Sequence, residues 1–307
     1  MSHYPDIPAE SLLKPAWLKV KVPQGERFNW IRQRARSLNL HTVCEEARCP
    51  NIGECWQGGT ATFMLMGDTC TRGCRFCAVK TARRPAPLDP GEPANIADTV
   101  LAMALDYVVL TSVNRDELPD QGAGHFAETI RRTQLANPRL LIEVLIPDFQ
   151  GRLHDVDTIV AAGPAVIAHN VETVERLTPV VRDPRATFAQ SLAVLSHVKQ
   201  CAPHIKTKSS LMLGLGEFEA EVLEAMRALR AIDVDFLTLG QYLQPERRKL
   251  KVTSFVHPDT FAHLEREGLG MGFRYVAAGP LVRTSYRAAE FYISQQLRKE
   301  RAVPASS

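Results

Sequence analysis

The sequence predicts an α/β protein built as a partial (β/α)6 TIM-type barrel, with an N-terminal extension that carries cysteines and a short C-terminal extension. Three observations lead there. From residue 61 onward, apolar runs of strand length alternate with helix-period segments six times, and such alternation implies parallel strands joined by right-handed crossovers. Six units fall short of the eight that close a full barrel. No strand-like run leads into a G-x-G-x-x-G turn, so a doubly wound open sheet is the weaker alternative.

The strand-like runs are residues 61–66 (ATFMLM), 106–112 (DYVVLTS), 140–146 (LLIEVLI), 165–169 (AVIAH), 205–213 (IKTKSSLML) and 234–239 (VDFLTL). Helical patterns fill residues 96–105, 124–135, 155–162, 187–199, 217–229 and 259–266. In the fifth of these, Phe218, Val222, Ala225, Met226 and Leu229 share one face, with acids in the first turn, as a helix lying on a sheet requires. Ahead of the barrel, prolines and alternating basic and apolar residues make 14–21 an extended arm, and 28–38 reads as a short helix. The domain reading is therefore an extension over 1–60, the barrel over 61–270 and a C-terminal extension over 271–307.

Composition narrows the possible functions. The chain has 307 residues, 37 basic against 34 acidic, a net charge of +3, too balanced to suggest a nucleic-acid partner. No stretch approaches the roughly 18 apolar residues of a membrane span, and the acid-bearing N-terminus has no secretory h-region. Six of the seven cysteines crowd into residues 44–77, unlike the disulfide framework of a small secreted chain. A reducing cytoplasm is the expected location.

The run Cys70-Thr71-Arg72-Gly73-Cys74-Arg75-Phe76-Cys77 offers three thiols, spaced by three residues and then two. A [4Fe–4S] cluster ordinarily takes four protein ligands, so three thiols leave one iron open to something that is not protein. Zinc is the other reading, although its sites more often pair two C-x₂₋₄-C-type units to close a tetrahedron. A second set, Cys44, Cys49 and Cys55, has four and then five intervening residues. The strand-like run at 61–66 separates the sets and favours two clusters; one shared zinc cluster or a staple on the N-terminus are the alternatives. Cys201 stands apart and reads as a small buried hydrophobe.

The spacing of Cys70, Cys74 and Cys77, with Phe76 before the last thiol, resembles the signature of the radical S-adenosylmethionine (SAM) superfamily. Within it, the upstream C-x₄-C-x₅-C set and the tail Gly279-Pro280-Leu281-Val282-Arg283-Thr284-Ser285-Tyr286-Arg287-Ala288 resemble the lipoyl synthase family. The chain departs from that family's R-S-S-Y motif at Thr284, which keeps a hydroxyl. The resemblance implies two [4Fe–4S] clusters and SAM as cofactors. It assigns Cys70, Cys74 and Cys77 to the SAM-binding cluster, and Cys44, Cys49, Cys55 and Ser285 to an auxiliary cluster that is dismantled to donate sulfur. Without the upstream cysteines, Ser285 would read rather as the N-cap of a final helix over 286–299.

The implied reaction inserts two sulfur atoms at C6 and C8 of an octanoyl chain amide-linked to a lysine. The implied partners are octanoylated lipoyl carrier proteins, namely the lipoyl domains of 2-oxoacid dehydrogenases and the glycine cleavage H protein. An electron donor such as ferredoxin or flavodoxin is implied as well, and the enzyme is expected to be a monomer acting without nucleic acid or membrane. Thr111, Ser112, Asn114, Asn170, Glu172 and Arg182 sit where strands should end, and are candidates for SAM or substrate contacts, or else turns and helix caps. Another radical SAM enzyme of the methylthiotransferase kind, or a non-catalytic iron–sulfur or zinc protein, is the competing reading.

Overall fold

The computed structural model describes residues 7–8, 14–19, 26–38, 40–46, 49, 51–57 and 62–285. Seven parallel strands form the sheet: β1 (Thr62–Leu65), β2 (Tyr107–Ser112), β3 (Leu141–Leu145), β4 (Val166–Ala168), β5 (Lys206–Leu213), β6 (Phe236–Gln241) and β7 (Tyr275–Gly279), each hydrogen-bonded to the next in chain order. The longer helices between them are α1 (Glu92–Ala102), α2 (Ala123–Ala136), α3 (Leu153–Ala161), α4 (Phe188–Cys201), α5 (Glu219–Ala231) and α6 (Pro258–Gly270). The barrel is partial: among the described residues no pairing closes β7 onto β1, and the outer edge of β1 is taken by the antiparallel pair His41–Thr42. The cysteine-bearing extension is thereby hydrogen-bonded into the sheet.

The elements form for local reasons that packing then reinforces. β2 to β4 are almost wholly apolar because both their faces are covered. β5 departs from that rule, since KTKSSLML carries two lysines, yet it is almost entirely buried. Successive side chains of a strand alternate between faces, so Lys208, Ser210 and Met212 share one face, and the latter two line the barrel's central cavity. The apolar partners Leu211 and Leu213 pack outward with Val222, Met226 and Leu229 of α5.

Three expectations need correction. The sheet has a seventh parallel strand, β7, in the stretch assigned to the C-terminal extension, so the barrel does not stop at residue 270. Its five residues, YVAAG, are too short and too small to stand out as a strand. Residues Ala16–Leu18 form a 3₁₀ turn within the arm read as extended. Phe218 is not on the buried face of α5 but is its N-cap, 69% exposed, with the Arg176 guanidinium 5.2 Å from its ring centre. The final helix expected over 286–299 lies outside the described residues. Among the described residues, no helix is long and apolar enough to cross a membrane.

Candidate active site

The loop after β1 is fixed before any ligand is considered. Its base is a two-residue parallel ladder, Thr69–Cys70 with Lys80–Thr81, and inside it Arg72 is 4% exposed. The Arg72 guanidinium forks onto two carboxylates. Nε and Nη2 donate to Asp116 at 3.0 and 2.9 Å, and Nη1 donates to Asp148 Oδ2 at 2.7 Å, with Nη2 also 2.6 Å from Asp148 Oδ1. Burial acts to raise both carboxyls, but the Arg72 hydrogen bonds outweigh it and hold them below the usual carboxylate range. Asp183 accepts from the Gly73 amide at 2.8 Å, and the Thr71 and Arg75 amides donate to Asn114 and Val181 carbonyls at 3.0 and 2.9 Å. The loop is thus tied to the segments following β2, β3 and β4.

This scaffold presents sulfur to a cavity of about 600 Å³ at the carboxyl ends of the strands. Cys70, Cys74 and Cys77 line it, and so do Cys44 and Cys49. The two sets, separated by a strand in sequence, meet across one space. The backbone of Cys55 lies in the helix Ile52–Gln57, while its side chain is outside what the structure describes. Ser285 lines the same cavity, brought there by the segment after β7; Asn51 Nδ2 donates to Leu281 O at 2.6 Å and joins the cysteine-bearing and C-terminal segments.

The remaining candidates converge as well: Thr111, Ser112, Asn114, Asn170, Glu172 and Arg182 all line the cavity. Asn170 Nδ2 donates to Glu172 Oε1 at 3.2 Å and Thr284 Oγ1 at 3.1 Å. Glu172 holds a left-handed backbone (φ 68°), which costs energy for a side-chain-bearing residue and collects at functional sites. Its carboxyl is pushed up by burial, with Arg182 opposing. Arg182 Nη1 donates to Ser191 Oγ at 2.7 Å, and Thr111 Oγ1 to Leu145 O at 2.9 Å. The side-chain oxygens of Ser112 and Asn170 are buried with no protein partner, as expected of groups that await a polar ligand.

The donor set fits iron–sulfur chemistry. Cys49, Cys70, Cys74, Cys77 and Cys201 are free thiols. Cys70 Sγ accepts from the Arg72 and Asn114 amides, and Cys74 Sγ from the Asp183 amide, each at 3.4 Å; such bonds tune cluster thiolates. Burial raises the Cys49 and Cys74 thiols and pushes Cys77 up to about 12. A buried thiol without a cation stays protonated, and bound metal is what makes it a thiolate. Arg72, Asp148 and Asp183 were missed as site residues, and so was Arg185, whose Nε donates to Asp183 Oδ1 at 2.8 Å; their signal was acids and arginines in the loops that follow strands. Cys201, expected to be buried, is exposed on α4, with its Sγ 3.5 Å from His197 Nε2.

On the cavity wall, His169 is buried between Ile146 O and Ser191 Oγ, both at 2.9 Å. Burial, and then Arg182, push it down to about 4. The unfolded chain therefore takes up a proton near the ordinary value of 6.5 that the folded chain refuses until about 4. Stability contributed by His169 is present above pH 6.5 and is lost as the pH falls toward 4, amounting to about 3 kcal/mol. Urea midpoints of the apo-protein should fall through that window and fall less in His169→Gln; parallel profiles would refute the assignment.

A seven-stranded partial barrel with a three-thiol loop after its first strand, and with the buried oxygens of Ser112 and Asn170 left without protein partners at its rim, defines a radical SAM protein. The model of the radical SAM superfamily matches residues 64–229, and that of the N-terminal domain of lipoyl synthase matches residues 8–49. The chain is 58% identical to a lipoyl synthase of Anaeromyxobacter, covering 92% of this chain and 96% of the relative. It is 56% identical to the mitochondrial lipoyl synthase of Rattus norvegicus, over 95% and 80%, and 55% to that of Culex quinquefasciatus, over 96% and 79%. The chain belongs to the lipoyl synthase family, whose members are sulfur-inserting enzymes of the radical SAM class. Two solved structures share the fold at 14% identity: methylornithine synthase, TM-score 0.53 over 91% of this chain and 94% of that one, and the [FeFe]-hydrogenase maturase HydG, TM-score 0.55 over 85% and 57%.

The relatives also correct the expected cytoplasmic location, since the rat, mosquito and human members are mitochondrial by name. Free thiols separate reducing from oxidising compartments and do not separate one reducing compartment from another.

Proposed function

We propose that the chain inserts sulfur at C6 and C8 of an octanoyl group amide-linked to a lysine of a lipoyl carrier protein, using SAM and two [4Fe–4S] clusters. When bound, these groups supply a reductively generated 5′-deoxyadenosyl radical and the sulfur; the unactivated carbons rule out acid–base removal of hydrogen. Cys70, Cys74 and Cys77 would hold the SAM-binding cluster. Cys44, Cys49, Cys55 and Ser285 would hold the auxiliary one. The observation that carries this reading is that the described members of both sets, together with Ser285, line one cavity. A radical formed at one set would then lie within reach of sulfur held at the other.

The polar rim suits the amino-acid end of SAM: Glu172 would face the ammonium, Arg182 would complement the carboxylate, and Ser112 and Asn170 offer unpartnered oxygens. The carriers would be lipoyl domains of 2-oxoacid dehydrogenases and the glycine cleavage H protein, the electron donor a ferredoxin or flavodoxin, and the working unit a monomer. Ser285 would give the auxiliary cluster a hard oxygen ligand on a soft iron, a weak point suited to a cluster that comes apart.

Anaerobic reconstitution with iron and sulfide counting tests the proposal. About eight irons per chain are expected, falling to about four in a variant with Cys44, Cys49 and Cys55 all changed to alanine. Four irons in the unaltered chain, or zinc in place of iron, would sink the sulfur-donor reading.

A further inference from the structure

The barrel interior holds a charged group with no obvious catalytic task. Lys208 of β5 and Glu143 of β3 are both 0% exposed, and Lys208 Nζ donates to Glu143 Oε1 and Oε2 at 2.8 and 3.0 Å. Tyr107 OH donates to the same carboxylate. A buried ion pair is a costly way to fill a core, and apolar replacements often do as well. The pair must therefore be read through what else it touches. An ammonium carries three protons: two are accounted for by Glu143, and Nζ also donates to the backbone carbonyl of Thr284 at 2.6 Å.

Thr284 immediately precedes Ser285, and its other polar group is held too, by Asn170 Nδ2 at 3.1 Å. Upstream, Asn51 fastens Leu281 O. The C-terminal segment therefore crosses the barrel mouth gripped at Leu281 and Thr284, with the grip at Thr284 coming from the barrel core. We propose that Lys208, oriented by Glu143, is a positioning residue that seats the Thr284 carbonyl and so delivers the Ser285 hydroxyl to the auxiliary site. This rests on Ser285 being a ligand of that site. It gives the ion pair a purpose: Glu143 aims the donor, and the third proton fixes a segment that belongs to no strand or helix among the described residues.

Either single change would strand a buried charge, so the test uses the neutral double variant Lys208→Met/Glu143→Gln, with Tyr107→Phe, which removes a hydrogen bond to the same carboxylate and leaves the ion pair, as control. Hydrogen exchange is followed in the apo-protein at the amides of residues 281–285. The double variant should exchange there about tenfold faster or more, the loss expected for a hydrogen bond from a charged donor, while Tyr107→Phe, which keeps the lysine and its partner, should not. After reconstitution, the Mössbauer signature of an oxygen-ligated iron should be present in the parent and Tyr107→Phe and absent from the double variant, as in Ser285→Ala. Unchanged exchange in the double variant, or an equal rise in Tyr107→Phe, overturns the positioning role. A parent protein without oxygen-ligated iron overturns the ligand reading of Ser285 instead; the two failures are separable because the exchange is measured without any cluster.

Discussion

Arg72→Met should destabilise the protein by roughly 3–5 kcal/mol, the usual cost of removing one partner from a buried charge network, and lower its melting temperature by roughly 10 °C. The reason is the number of groups it strands. Asp148 is 1% exposed and would be left with no guanidinium; Asp116 would keep Thr71 and Arg185, at 2.8 and 3.0 Å. Both carboxyls would then rise, because burial would act on them with less opposition. In the parent, their contribution to stability is present above the ordinary carboxylate range and is lost as the pH falls through their lowered values, so the variant should unfold at higher pH on acidification. SAM cleavage should fall by about a hundredfold, since the loop that carries Cys70, Cys74 and Cys77 would lose its anchor and small misplacements of reacting groups cost that much. Arg72→Lys keeps the charge but not the fork and should fall between. A Met variant that melts with the parent and cleaves SAM at the parental rate would show that the ladder at Thr69–Cys70 suffices to hold the loop.

Much of this site could be read from the sequence because its chemistry is local. Three thiols in eight residues, and polar residues just past apolar runs, are short-range patterns, and the parallel sheet then carries them to one end of the barrel. What could not be read was contact between distant parts of the chain. Arg72 next to two cysteines looks like a surface charge until Asp148 is brought to it across 76 residues. The strand over 205–213 was legible, but no task for Lys208 was, because its partners Glu143 and Thr284 lie 65 and 76 residues away. β7 was missed because YVAAG is short and small. Phe218 and Cys201 were misjudged for a common reason: helical periodicity gives the buried face of a helix interior, and its authority fades at the ends.

Gly240→Ala should separate the two halves of the chemistry. A Cβ built at Gly240, near the end of β6, would lie 2.1 Å from Val282 O and 3.1 Å from Val282 C. Those are backbone atoms of the C-terminal segment, so no side chain can swing aside, and the segment has to lift. Glycine is needed here for close approach. Overpacking of this kind costs about 1–3 kcal/mol, which a core of this size survives, but the displaced stretch contains Thr284 and Ser285, while Cys70, Cys74 and Cys77 belong to a different segment, the loop after β1. SAM cleavage to 5′-deoxyadenosine should therefore persist within about threefold of the parent, while sulfur insertion falls by about a hundredfold or more. Gly279→Ala supplies the graded comparison. Its Cβ would meet only the Val282 Cγ2 methyl at 3.3 Å, which can yield, so product formation should drop far less. Equal loss of both activities in Gly240→Ala would mean that the segment supports the SAM site itself, through the Asn170–Thr284 bond; no loss in either would mean that Ser285 can reach its place by another path, and that the grip of the barrel on this segment has no bearing on sulfur transfer.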